Sequence, residues 1–215
     1  MMRKLQTWLV DYVYAAKLYS QFFVHRHPPE HYLGYVDNTK VPVILIPGVN
    51  TKWHFLKKMA DSVSKTGHPV HVVKELGYNR KEIATSAKLV RIFIDEKALH
   101  NVIILAHSKG GLIGKEVLLA HNQDNRIIKV IAIAAPFLGS KLAARIPDKA
   151  ITELAPHSAI VQEHNARATA NADIISIYGL YDNHVWPTEN SILVGAENIV
   201  VTTGGHHQIL LNPKT

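Results

Sequence analysis

Val102-Ile103-Ile104-Leu105-Ala106-His107-Ser108-Lys109-Gly110-Gly111-Leu112 is the stretch on which the fold reading rests. An unbroken apolar run, Val102 to Ala106, has the composition of a strand buried on both faces. The residues from Lys109 to about His121 have a helical pattern and open on a glycine pair. Between them stands Ser108. A sharp strand-to-helix turn lifts such a hydroxyl clear of the sheet, and it needs small residues two positions before and two after the serine. Ala106 and Gly110 supply them. A short A-x-S-x-G string alone arises by chance; its place between a strand and a helix makes Ser108 a candidate nucleophile.

Outward from this turn the same alternation repeats. Val43-Ile44-Leu45-Ile46 is a short apolar run ending at Pro47-Gly48, and His54 to Lys65 has a helical pattern. Pro69 to Val73 is strand-like, and Asn79 is placed to cap a helix reaching about Ala98. Ile127 to Ala134, Asp173 to Tyr178 and Asn198 to Val201 supply further strands. β-rich runs alternating with helices predict a mostly parallel α/β sheet flanked by helices. Residues 139–172 break the rhythm and predict a short inserted cap within a single domain of 215 residues.

A serine hydroxyl needs a base to take its proton and a carboxylate to orient that base. Asp182 follows the 173–178 strand directly, where ligands meet an open parallel sheet. Asp173 precedes the same strand, and Glu189 would need a longer loop. Gly204-Gly205-His206-His207 follows the last strand. His206 is the preferred base, and His207 is expected to begin a terminal helix. His184 and His107 are nearby imidazoles with supporting roles open to them. The backbone N–H of Lys109 and that of Val49, after the first core strand, are the candidate oxyanion donors.

The remaining features narrow the function classes. The chain has no cysteine, which excludes disulfides, thiol nucleophiles and thiolate metal sites. The net charge of +7 is scattered and accompanies no nucleic-acid motif, so it reads as a solvated basic surface. Leu5, Trp8, Leu9, Tyr12, Val13, Ala16, Tyr19 and Phe23 form an apolar stripe on a helix over residues 2–24. Packing of that stripe on the protein's own core is preferred over a lid or peripheral membrane contact. Residues 25–41 read as a linker, and its three histidines lack partners at metal-ligand spacing. No metal or cofactor is called for. No apolar segment reaches the length of a membrane span, and the N-terminus lacks a clean cleavage site. A mature cytoplasmic protein is expected, with membrane association and secretion left open.

Five ordered segments together carry a resemblance. They are Val43 to Val49, His107 to Leu112, Ala135 to Ser140 with the later Glu153-Leu154, Asp182 to Val185, and Gly205-His206. In these the chain resembles the bacterial lipase and esterase branch of the α/β-hydrolase superfamily. The resemblance implies an α/β-hydrolase fold and a Ser108-Asp182-His206 triad with Val49 and Lys109 at the oxyanion hole. It implies hydrolysis of small-molecule or lipid acyl esters without a cofactor. Pro47 stands where the family commonly has histidine, Lys109 where it commonly has an uncharged residue, and the cap is short. Acyl transfer on the same fold and a catalytically silent binding protein are the competing readings.

Overall fold

The computed structural model describes residues 2–211, with side chains from residue 6 onward. Leu5 of the apolar stripe therefore lies outside the described side chains. The strands are β1 (Val43–Ile46), β2 (Val70–Val72), β3 (Val102–His107), β4 (Ile127–Ile133), β5 (Ile174–Tyr181) and β6 (Glu197–Gly204). The helices are α1 (Met2–Val24), α2 (His31–Gly34), α3 (Lys57–Lys65), α4 (Ile83–Glu96), α5 (Lys109–His121), α6 (Lys149–Thr152) and α7 (Ala159–Ala166).

The six strands form one sheet in the order β2-β1-β3-β4-β5-β6, and every pairing is parallel. The chain leaves β1 towards one edge and returns to build β3 on the other side. This places the point where strand order reverses between β1 and β3. Loops that leave adjacent strands in opposite directions open a crevice at their carboxyl ends. Ile46 pairs with Ala106, so the Pro47-Gly48-Val49 loop and Ser108 emerge side by side at that crevice.

Alternate residues face opposite layers. Ile44, Ile46, Ile104, Ala106, Val130 and Ala132 pack with Val90 and Ile94 of α4 and Leu112 and Val117 of α5. Val43, Leu45, Leu105 and Ile133 pack on the other side with Leu18 of α1, Ala60 of α3, and Ile209 and Leu210. Burial on both faces explains why these strands are continuous rather than alternating apolar runs.

Three sequence expectations change. First, Asn79 caps no helix. α4 starts at Ile83, while Asn79 adopts a left-handed φ of 54° and its side-chain amide donates to the Pro47 carbonyl at 2.6 Å. It braces the loop after β1. Second, β5 runs to Tyr181 and β6 to Gly204, so Asp182 starts its loop at the strand end.

Third, the apolar stripe of α1 packs only in part: Trp8 stacks on Trp186 and Tyr19 meets the buried Phe55 edge-on, while the rest stays at the surface. Leu9, Tyr12, Val13, Tyr19 and Phe23 are exposed, whereas Asp11, Ala15 and Leu18 are buried. The reason is polar: Asp11 accepts hydrogen bonds from His207 N, His207 Nδ1 and Gln208 N. Three donors to one carboxylate set the rotation of the helix against its hydrophobic pattern.

The 139–172 segment divides in two. Leu142, Ile146, Ile151 and Leu154 line the crevice as a cap would. In α7, Val161 joins the core, and His164 Nε2 meets Glu116 of α5 at 2.7 Å. In the 25–41 segment, Tyr32 is buried and its hydroxyl donates to Asp61. No described helix is long and apolar enough to cross a membrane.

A methyl group at Gly110 would lie 2.3 Å from the Ile46 carbonyl oxygen. Gly110→Ala is expected to cost about 3 kcal/mol through overpacking of the elbow against β1, read as a lowered urea midpoint with an unchanged slope.

Candidate active site

Ser108 occupies a sparsely populated backbone state, φ 53° and ψ −122°. Ordinary side chains strain there, and the surroundings hold the turn in place. Ser108 N donates to the Ile133 carbonyl at 2.9 Å, and Gly111 N donates to the Ser108 carbonyl at 2.9 Å. Gly111 is needed because a Cβ there would sit 2.4 Å from Ala135 Cβ. The carbonyl end of β3 thus aims the serine into the crevice, with the N-terminus of α5 behind it.

Gly48 brings the loop after β1 against this turn. A Cβ on Gly48 would fall 3.2 Å from Ser108 Cβ and 3.1 Å from His107 Nδ1. Val49 and Ser108 line the same cavity of about 300 Å³, with Leu142, Ile151, Leu154 and Val185 among its apolar walls. A backbone N–H at Val49 and another at Lys109, at the head of α5, therefore flank the serine. Both are groups of the type that hold an oxyanion.

Asp182 and His206 meet at 2.8 Å between Oδ2 and Nδ1, both buried. Two loops make that contact. Asp182 Oδ1 accepts from His184 N at 2.6 Å and Val185 N at 2.8 Å, so its own loop wraps the carboxylate. His206 N donates to Asn183 Oδ1 at 2.9 Å, tying the second loop to the first. Burial opposes ionisation of Asp182, but the His206 ring and the two backbone donors outweigh it and hold its carboxyl below the usual range. Burial likewise opposes a positive His206, yet Asp182 more than compensates and raises the imidazole above its ordinary value. The carboxylate keeps the proton on Nδ1, which leaves Nε2 as the acceptor atom. His206 lines the cavity with Ser108.

Three more imidazoles surround His206. His184 stacks on it with ring centres 4.7 Å apart and planes 20° from parallel. His107 lies 4.7 Å away on another side, and His207 5.2 Å away. His107 Nε2 lies 3.1 Å from the His206 carbonyl, an acceptor, so Nε2 carries the proton. Burial, reinforced by the neighbouring rings, pushes His107 well below its ordinary value and His184 down to about 3. Both rings are neutral neighbours for a charged His206.

The adjacent histidines therefore have separate carboxylates. His206 pairs with Asp182, and His207 pairs with Asp11 at 2.9 Å. Leu210 N bonds the His207 carbonyl, so His207 starts the terminal turn. The rival acids lie elsewhere: Asp173 precedes β5 at the far end of the sheet, and Glu189 is exposed in a turn beyond the loop. Asp11 is the residue that sequence reasoning missed. It reads as the polar side of an amphipathic helix, and its partners lie about as far along the chain as two residues can. Asp11, His184 and His207 also place one nitrogen or oxygen atom each within 4.8 Å of one another, the one such cluster among the described residues. As it stands, the Asp11 carboxylate is engaged by three N–H donors.

The Lys109 side chain is fully buried. Its Nζ donates to the Lys81 carbonyl at 2.7 Å and lies 3.1 Å from Glu153 Oε2. Glu153 Oε1 in turn accepts from Ile83 N at 2.8 Å, at the start of α4. The lysine thus stitches the serine turn to the cap and to α4. Burial lowers its basicity, and Glu153 opposes that shift. Ser140 performs a similar tie, donating to the His184 carbonyl at 2.7 Å and accepting from Trp186 N at 3.0 Å.

The sheet order, the elbow after β3 and the acid and histidine loops after β5 and β6 define an α/β-hydrolase fold. Comparison with solved structures agrees. The mature form of Bacillus licheniformis lipase BlEst2 superposes with a TM-score of 0.62 at 17% identity, over 83% of this chain and 89% of that one. Aspergillus fumigatus lipase B gives 0.64 at 20% identity, over 82% and 48%. The α/β-hydrolase MGS-MChE2, from a lagoon-sediment metagenome, gives 0.56 at 19% identity, over 81% and 86%. No family model matches the chain, and no curated protein sequence does either.

Asp11→Ala would leave three N–H groups, two of them buried, without their acceptor. It is expected to destabilise the protein by about 3 kcal/mol, measured by urea denaturation, and to speed exchange of the His207 and Gln208 amides.

Proposed function

We propose that this protein is a serine hydrolase that cleaves carboxylic esters through an acyl-enzyme. The observation that carries the reading is the buried His206–Asp182 pair opening on the same cavity as Ser108. His206 Nε2 takes the Ser108 proton as the hydroxyl oxygen attacks the ester carbonyl. The N–H groups of Val49 and Lys109 receive the oxyanion, and the collapsing intermediate expels the alcohol, protonated by His206. Water, activated by the same imidazole, then releases the acid and frees Ser108. Asp182 holds the tautomer and stabilises the imidazolium. The neutral rings of His107 and His184 add no competing charge next to it.

The likeness to lipases and α/β-hydrolases supports this reading at the level of fold. Cavity size refines it: about 300 Å³ is at the small end of ligand sites and favours a short acyl group over a long chain.

Ser108→Ala is expected to lower kcat on p-nitrophenyl acetate by at least about a thousandfold and to end labelling by a fluorophosphonate probe, at unchanged stability. Full activity in that variant would refute the reading.

The pH profile gives an independent check. His206 must be neutral to accept the proton, and its basicity is raised, so kcat/KM falls as pH drops through a value above 6.5. In Asp182→Asn the raising partner is gone and burial alone acts. The acid limb then moves to lower pH while the maximal rate falls by about ten-thousandfold.

A further inference from the structure

The outer face of α1 is apolar and largely exposed; only at its inner edge do Tyr12 and Tyr19 meet the His184 and Phe55 rings. Leu9, Tyr12, Val13, Ala16, Tyr19 and Phe23 recur at steps of three and four, and Val13 and Phe23 are 69% and 79% exposed. The face runs about 20 Å along the helix. It is firmly held from behind, by the three hydrogen bonds to Asp11 and by Trp8 stacked on Trp186 at 6.2 Å. Exposure here is thus a property of a docked helix.

Charge decides what could cover it. Residues 1–29 contain four Lys or Arg and one acid, Asp11, which is buried and hydrogen-bonded. Lys17 on the helix and Arg26 just after it are exposed beside the apolar face. A second copy laid on this face would set cations against cations, because a two-fold interface meets itself. An anionic lipid surface meets both the apolar side chains and the cations. Tyr12 and Tyr19 are half exposed and also line the cavity, so the face adjoins the cavity mouth. Tyrosine has the amphipathic ring that settles at headgroup level.

We propose that the outer face of α1 docks the protein on an anionic membrane surface, with the helix in the interfacial plane and the cavity mouth beside the lipid. The helix is too polar to cross the bilayer, so contact is peripheral. The proposal stands on α1 alone and does not require the esterase reading.

The test is co-sedimentation of the full chain with vesicles of phosphatidylglycerol and phosphatidylcholine, beside vesicles of phosphatidylcholine alone. Binding is expected to the anionic vesicles and to weaken with added salt. The Val13→Asp/Phe23→Asp double variant should bind at least about tenfold more weakly, since two apolar side chains no longer insert. Both side chains lie outside the cavity lining, so hydrolysis of a water-soluble ester and fluorophosphonate labelling should match wild type. Failure to sediment with anionic vesicles, equal binding to neutral vesicles, or equal binding by the double variant would overturn the proposal. A wild-type dimer in light scattering that the double variant renders monomeric would also overturn it, assigning the face to a second copy. Vesicle binding without ester hydrolysis would sink the enzymatic reading and leave the docking face standing.

Discussion

The left-handed turn at Ser108 persists because three backbone approaches leave it no alternative. Gly110 rests on the Ile46 carbonyl, Gly111 on Ala135, and Gly48 on Ser108 itself. The first two admit no further atom, and the third is tight. They lock the first two core strands, the serine turn and the start of α5 into one unit at the reversal point of the sheet. Everything the site uses is placed relative to that unit. The loop after β1 brings its N–H groups alongside, and the loops after β5 and β6 arrive from the other side with the carboxylate and imidazole.

Charge around the serine is arranged by burial and pairing together. Three imidazoles have their ring centres 4.7 to 5.2 Å from that of His206, an arrangement that would repel itself if the rings were all protonated. Burial keeps His107 and His184 neutral, and carboxylates are reserved for His206 and His207. The stacked His184 ring and the His107–carbonyl bond then fix the plane and height of His206. The pairing of each adjacent histidine with its own aspartate separates two residues of identical chemistry into different roles.

The same economy governs the parts that look anomalous in the sequence. Lys109 would be misplaced as a cation at a helix N-terminus if it were free. Buried against Glu153 and the Lys81 carbonyl, it instead joins the serine turn to the cap. Asp11 costs α1 part of the burial of its apolar stripe, and in return the helix secures the loop that bears His206. That exchange leaves an apolar helix face beside the cavity mouth.

Local pattern by itself determined the alternation of strands and helices, the buried character of the sheet and the identity of the serine turn. Each of these rests on neighbours in the chain: apolar runs of strand length, small residues two before and two after Ser108, a glycine pair opening a helix. Asp182 and the 206–207 pair were also legible, because both follow strands directly and strand ends are where a parallel sheet binds. Only the tertiary structure decided which histidine joins Asp182, since the two are adjacent and differ by the partner each meets. It alone decided the roles of Asp11, Lys109 and Asn79, whose partners lie on other elements. It also decided the rotation of α1, where three hydrogen bonds to residues 196 and 197 positions away bury Asp11 and leave much of the apolar stripe at the surface. Periodicity reports which side of a helix is apolar; what that side meets depends on what the opposite side is bonded to.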